Sequence, residues 1–89
     1  MINLIWDEAF NRKYRKLIKN NSSFHSEFQI KMELFVANQN DPILKTHKLS
    51  GKLNDCWASS IDYHFRIVFK KIDENNILLL DIGSHDEVY

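Results

Sequence analysis

The chain has 89 residues, which is room for one domain and one core. It is 44% hydrophobic and 27% charged, an ordinary balance for a soluble globular protein, and its 12 basic and 12 acidic residues cancel to a formal net charge of zero. No run of about 18 apolar residues is present to span a membrane, and the start reads without a basic leader or small-residue cleavage site. The single Cys56 cannot form an internal disulfide, so a cytoplasmic chain is expected.

Asn3-Leu4-Ile5-Trp6 reads as a short opening strand. Asp7 then suits an N-cap, with Glu8 favourable in the first helical turn. Phe10, Tyr14, Leu17 and Ile18 recur at helical spacing and predict an amphipathic helix over residues 7–19. Asn20-Asn21-Ser22-Ser23 is a turn whose serines can cap a second helix. That helix buries Phe24, Phe28, Met32, Phe35 and Val36 and runs to about residue 38. The short loop between the helices predicts an antiparallel hairpin.

Asn38-Gln39-Asn40-Asp41-Pro42 breaks the helical pattern, and the rest reads as strands. His47-Lys48-Leu49 leads into a Ser50-Gly51 turn. Residues 57–61 put Trp57, Ser59 and Ile61 on one face and Ala58 and Ser60 on the other. Tyr63-His64 closes a hairpin to a strand over residues 65–70. After a turn at residues 73–76, Ile77-Leu78-Leu79-Leu80-Asp81-Ile82 reads as a buried central strand. The expected class is therefore α+β: a short N-terminal strand and an antiparallel helical hairpin packed on a small, mainly antiparallel sheet. The helices cover one face and leave the other partly open, and the first strand pairs with strands of the second half. Residues 1–89 are expected to be one domain.

The charges are unevenly placed. Residues 45–71 hold six basic side chains (Lys45, Lys48, Lys52, Arg66, Lys70, Lys71) against the acids Asp55 and Asp62. A zero total therefore leaves room for a polyanionic partner. Arg12, Lys13, Arg15, Lys16 and Lys19 form a second basic group, read more plainly as a solvated helix face. Arg66 stands in an otherwise apolar strand, where a charge is costly without an anionic partner. Its planar fork suits bidentate contact with phosphate; the plainer alternative is an ion pair with Asp62 or Glu74. His47, His64 and His85 all lie in this half, and His85 and Tyr89 follow the end of the apolar strand, where a reactive side chain is held firmly. The set suits acid–base chemistry on a phosphodiester. Trp57 and Phe65 are either core residues or platforms for stacked bases. His25 reads as a surface or hydrogen-bonded histidine and Cys56 as an inert small residue. No HxxxH pair, CxxC, Gly-rich phosphate loop or Ser-His-Asp order appears.

Over nearly its whole length the chain resembles the RelE/ParE superfamily of bacterial toxins, most nearly the YafQ-like and YoeB-like messenger-RNA interferases. Three segments carry the resemblance: Leu44-Lys45-Thr46-His47-Lys48-Leu49-Ser50-Gly51-Lys52-Leu53, then Cys56-Trp57-Ala58-Ser59-Ser60-Ile61-Asp62-Tyr63-His64-Phe65-Arg66-Ile67-Val68-Phe69, then Asp81-Ile82-Gly83-Ser84-His85-Asp86-Glu87-Val88-Tyr89. The resemblance implies a RelE-like fold and a cytoplasmic endoribonuclease of a type II toxin–antitoxin pair. Such an enzyme cuts messenger RNA on the ribosome, in contact with 16S ribosomal RNA, and needs no metal or other cofactor. Its cognate antitoxin is the expected protein partner.

By the same resemblance, His85 is the general acid for the leaving 5′-oxygen, and His47 acts as base or positions it. Arg66 stabilises the phosphorane-like transition state, and Tyr89 orients the base or the scissile phosphate. Lys45, Lys48, Lys52, Trp57, Ser60, Phe65 and Lys70 are the candidate RNA-binding residues. The chain departs from the pattern at His64, where relatives carry an acid, and at Ser60, where some carry a catalytic histidine. His64 is then either a substitute proton-transfer group or a sign that the roles are redistributed among the other residues. The same fold also serves ParE-like inhibitors of DNA gyrase and catalytically weakened RNA-binding homologues. A gyrase binder has no need of the His47, Arg66 and His85 set.

Overall fold

The computed structural model describes residues 2–84. In chain order they form strand β1 (Asn3–Trp6), helices α1 (Glu8–Asn20) and α2 (Phe24–Ala37), and strands β2 (His47–Lys48), β3 (Trp57–Ser60), β4 (Phe65–Lys71) and β5 (Asn76–Ser84). Short 3-10 turns occupy Pro42–Leu44 and Gly51–Leu53. Asp7 caps α1 as its sequence position predicts, its carboxylate accepting from Ala9 N at 3.0 Å. Ser23 precedes α2 but makes no side-chain cap bond. The buried Tyr14 keeps its proton, because burial raises its pKa, and its hydroxyl lies 2.6 Å from His25 Nδ1, tying α1 to α2.

The strands form one sheet in the order β1-β5-β4-β3-β2. β1 runs parallel to β5 and every other pair is antiparallel. Between β1 and β5 the chain forms the helical hairpin and then β2, β3 and β4, and the two helices lie against one face of the sheet. The expected α+β arrangement is thus the one observed. One detail differs: β4, not β5, is the middle strand. β5 is still paired along both edges, and this explains its unbroken apolar run.

Side-chain alternation on β4 sorts the two faces. Phe65, Ile67 and Phe69 join the core under the helices. Phe65 meets Phe24 of α2 edge-on at 4.9 Å, and Phe69 meets Phe35 of α2 at 4.9 Å. Trp6 sits edge-on to Phe10 and Tyr14 at 4.9 and 5.0 Å, closing the same aromatic layer at the β1 side. On β5 the buried set is Ile77, Leu79 and Ile82, which breaks the period of two. The register explains it: Val68 faces Asp81 but Phe69 faces Leu79, so Leu80 is an extra, bulged residue. The bulge returns Ile82 to the core and sets Gly83 opposite Arg66.

On the far face, Cys56 and Val68 form a small cluster with Leu49, Leu53 and Leu80. The segment Gly51–Leu53 folds over it, and Gly51 takes the left-handed φ of 70° that lets the turn start. This covers one end of the far face; among the described residues no segment folds over the end with Ser60 and Arg66 in the same way. Among the described residues no helix is long and apolar enough to cross a membrane. The Phe69→Ala variant should lose about 3–5 kcal/mol of unfolding free energy in a urea titration, since Phe69 is fully buried beneath α2.

Candidate functional site

Arg66 lies between Phe65 and Ile67, so the two apolar neighbours that enter the core send its guanidinium to the far face. It pairs across the sheet with Ser60 on one side and Gly83 on the other, and the glycine puts no side chain beside it. Asp62 and Glu74, the acids expected from sequence as alternative partners, form no ion pair with it. Asp62 Oδ1 instead accepts from His64 N and Phe65 N, both at 2.8 Å, and holds the β3–β4 turn. Two buried side-chain polar atoms lack a hydrogen-bond partner among the described residues, Gln39 Oε1 and Arg66 Nη1. Arg66 belongs to a depression of about 430 Å³ whose walls include Lys31, Lys45, Ser60, Asp62 and Tyr63. A buried cationic donor without a partner costs at least about 1–3 kcal/mol. An anion delivered to this depression would recover that cost.

The wall opposite β4 comes from the segment before β2. Lys45 caps the Pro42–Leu44 turn with φ 50° and ψ 40°, the one non-glycine left-handed residue among those described. That conformation costs a residue with a Cβ about 1 kcal/mol. Thr46 donates its hydroxyl to Gln39 O at 2.8 Å and accepts from the fully buried Ser59 at 2.6 Å. This pair pins the segment to β3 and so fixes Lys45 and His47 on either side of Thr46. His47 is exposed on β2, opposite Ala58, with its Nδ1 3.0 Å from Lys45 O. Arg66, Ser60 and Lys45 are therefore brought together, with His47 two residues from Lys45.

The other candidates spread more widely. His64 is exposed on the β3–β4 turn, its ring edge-on to Phe65 at 5.4 Å. Trp57 and Phe65 pack towards the helices rather than beside Arg66, and Lys71 Nζ sits 3.9 Å over the Trp57 ring. Lys48 and Lys52 are exposed, on β2 and on the Gly51–Leu53 turn. Lys70 pairs with Asp55 at 3.0 Å, and the contact holds Asp55 below the usual carboxylate range and lifts Lys70. Burial pushes the Cys56 thiol up, as expected of an inert cysteine. His85 and Tyr89 lie outside the described residues. Among the described residues no group of His, Cys, Asp and Glu is placed to hold a metal ion.

Two contributors were not legible as such. Lys31 was not singled out in the sequence, yet its side chain, 18% exposed and 3.5 Å from Glu27, lines the Arg66 depression. Tyr63, read as a hairpin residue, is 97% exposed beside it. Lys13 reaches Asp81 at 2.6 Å, pinning α1 to the β5 bulge. Lys16 lines a smaller depression of about 220 Å³ that also touches Gly83. Part of the basic face of α1 thus flanks the end of β5.

Helical hairpin, parallel β1–β5 pair and open antiparallel half-sheet define the chain as a RelE/ParE-type toxin fold. Residues 2–89 match the model of the YafQ family, described as the bacterial toxin of a type II toxin–antitoxin system, and the chain belongs to that family. Among curated proteins no sequence match was found. Solved structures share the fold at low identity. The DinJ–YafQ toxin–antitoxin complex of E. coli aligns with TM-score 0.78 and 13% identity, over 99% of this chain and 97% of that one. The YoeB–YefM complex of Staphylococcus aureus aligns with TM-score 0.75 and 20% identity, over 96% and 98%. A metal-bound toxin from Helicobacter pylori aligns with TM-score 0.77 and 24% identity, over 100% of both chains.

If Lys45 is held in a strained conformation for a role in the site, stability and function should separate there. Lys45→Gly should unfold no earlier than the parent, with a gain of up to about 1 kcal/mol, while toxicity falls. Thermal melts alongside growth curves on induced expression measure both.

Proposed function

We propose that this toxin is a ribosome-dependent, metal-independent endoribonuclease, one domain over residues 1–89, that acts in the cytoplasm on messenger RNA being translated. The observation that carries the reading is Arg66 Nη1, buried and without a hydrogen-bond partner among the described residues, in a depression with Lys31 and Lys45 on its walls. A site of that charge favours a group that gains negative charge in the transition state. A phosphodiester under attack is such a group.

In the proposed reaction the 2′-oxygen of one nucleotide forms a bond to the adjacent phosphorus. Its proton passes to a base, with His47 in that role or positioning it. The bond from phosphorus to the 5′-oxygen breaks, and that oxygen takes a proton from His85, which follows Ser84 directly in sequence. The products are a 2′,3′-cyclic phosphate and a 5′-hydroxyl. Arg66 stabilises the extra charge on the pentacoordinate phosphorus, Tyr89 orients the reacting nucleotide, and His64 serves as the proton-transfer group where relatives carry an acid. Ser60 lines the same depression as Arg66. Lys45, Lys48, Lys52 and Lys70 are assigned to RNA contact, Lys48 and Lys52 facing 16S ribosomal RNA from the β2 edge and its following turn, whereas Trp57 and Phe65, packed against the core, are not.

The partner is an antitoxin whose amphipathic segment covers the helices or the basic depression. The toxin–antitoxin complexes solved for fold relatives support this.

Arg66→Ala should lower kcat on ribosome-bound message by about 10²–10³-fold while the far-UV circular dichroism stays unchanged. Induced expression of His85→Ala should no longer arrest growth. Full toxicity of both variants would sink the catalytic assignment.

A further inference from the structure

We infer that Tyr63 is a stacking platform for a nucleobase and that the depression beside it is a nucleotide subsite, with Lys31 and Lys45 on its phosphate. The inference rests on the RNA-cleaving reading and adds a residue and a role to it.

A single exposed aromatic means little by itself. Three further observations give Tyr63 a function. First, its backbone is already fixed: Asp62 Oδ1 holds the two amides that follow Tyr63, and Ile61 N and Asp62 N both bond to Phe65 O at 2.9 and 3.4 Å. The turn thus fixes where the side chain leaves the backbone, and a landing base has only the two side-chain torsions of a tyrosine left to order. Second, Tyr63, Ile43 (itself 60% exposed) and Ile61 give the depression an apolar part, and Lys31, Lys45, Arg66, Ser60 and Asp62 give it a polar one. That mixture fits a ligand with a flat apolar part and an anionic part, which describes a nucleotide. Third, the volume of about 430 Å³ falls in the range of sites that enclose one small molecule.

The one carboxylate on these walls is Asp62, and its Oδ1 is occupied by the turn amides. The remaining charge is positive, from Lys31, Lys45 and Arg66. With Trp57 and Phe65 turned towards the helices, Tyr63 is the aromatic presented on the Arg66 side of the turn. Stacking accepts any base but improves with ring area, so the subsite should prefer a purine.

The test is steady-state cleavage of ribosome-bound message by the full chain, comparing wild type, Tyr63→Ala and Tyr63→Trp, with melting curves to confirm folding. Tyr63→Ala should raise KM by roughly 5- to 100-fold and leave kcat nearly unchanged, and Tyr63→Trp should restore KM. An abasic nucleotide at the stacked position should cost the wild type the same factor and Tyr63→Ala nothing further. Cleavage by Tyr63→Ala with wild-type KM, from a wild type that cuts normally, would overturn the subsite alone. A folded wild type that cuts no message would overturn the RNA-cleaving reading and this one with it.

Discussion

The clamp of α2 on β4 is the constraint from which the rest follows. Phe65 and Phe69 are locked edge-on to Phe24 and Phe35, and Ile67 is fully buried between them. These three side chains tie β4 into the core that stabilises so small a chain. A strand has only two faces, so once residues 65, 67 and 69 are committed to the core, Arg66 has to emerge on the other side. The hydrophobic effect thus positions the cation indirectly and without adjustment: shifting β4 by one residue would expose three core side chains to water.

What the core enforces, the surrounding segments refine. The bulge at Leu80 re-phases β5 so that Gly83 stands beside Arg66, and Lys13 holds that bulge through Asp81. The Thr46–Ser59 bond locks the segment carrying Lys45 and His47 onto β3. Along this path the chain accepts local costs, a left-handed Lys45 and a buried unpaired Arg66 nitrogen. Costs of this kind gather where a fold serves a ligand rather than itself.

Much of the fold was legible because its signals were local. The helical spacing of Phe10, Tyr14, Leu17 and Ile18, the Asp7 cap and the break at Pro42 each report structure within a few residues. Arg66 was also legible, since a charge among Phe65, Ile67 and Phe69 breaks a pattern. The bulge was not, because Leu78, Leu79 and Leu80 are all apolar and erase the period that would reveal an extra residue. Nor was the place of β5 beside rather than at the middle of the sheet, which depends on pairing with β1, more than 70 residues away along the chain. Lys31 and Tyr63 escaped for a related reason. Their part in the site comes from long-range packing of α2 and a turn against the sheet edge, and nothing adjacent in sequence announces it.

The most direct measurement of the central claim is the chemistry of the ends left on a message after incubation with ribosomes and the purified chain. The account predicts cuts that require the ribosome and persist in EDTA-treated enzyme, each leaving a 2′,3′-cyclic phosphate upstream and a 5′-hydroxyl downstream. An intact message, together with loss of DNA gyrase supercoiling in the presence of the same protein, would contradict it and assign the fold's binding surface to a different target.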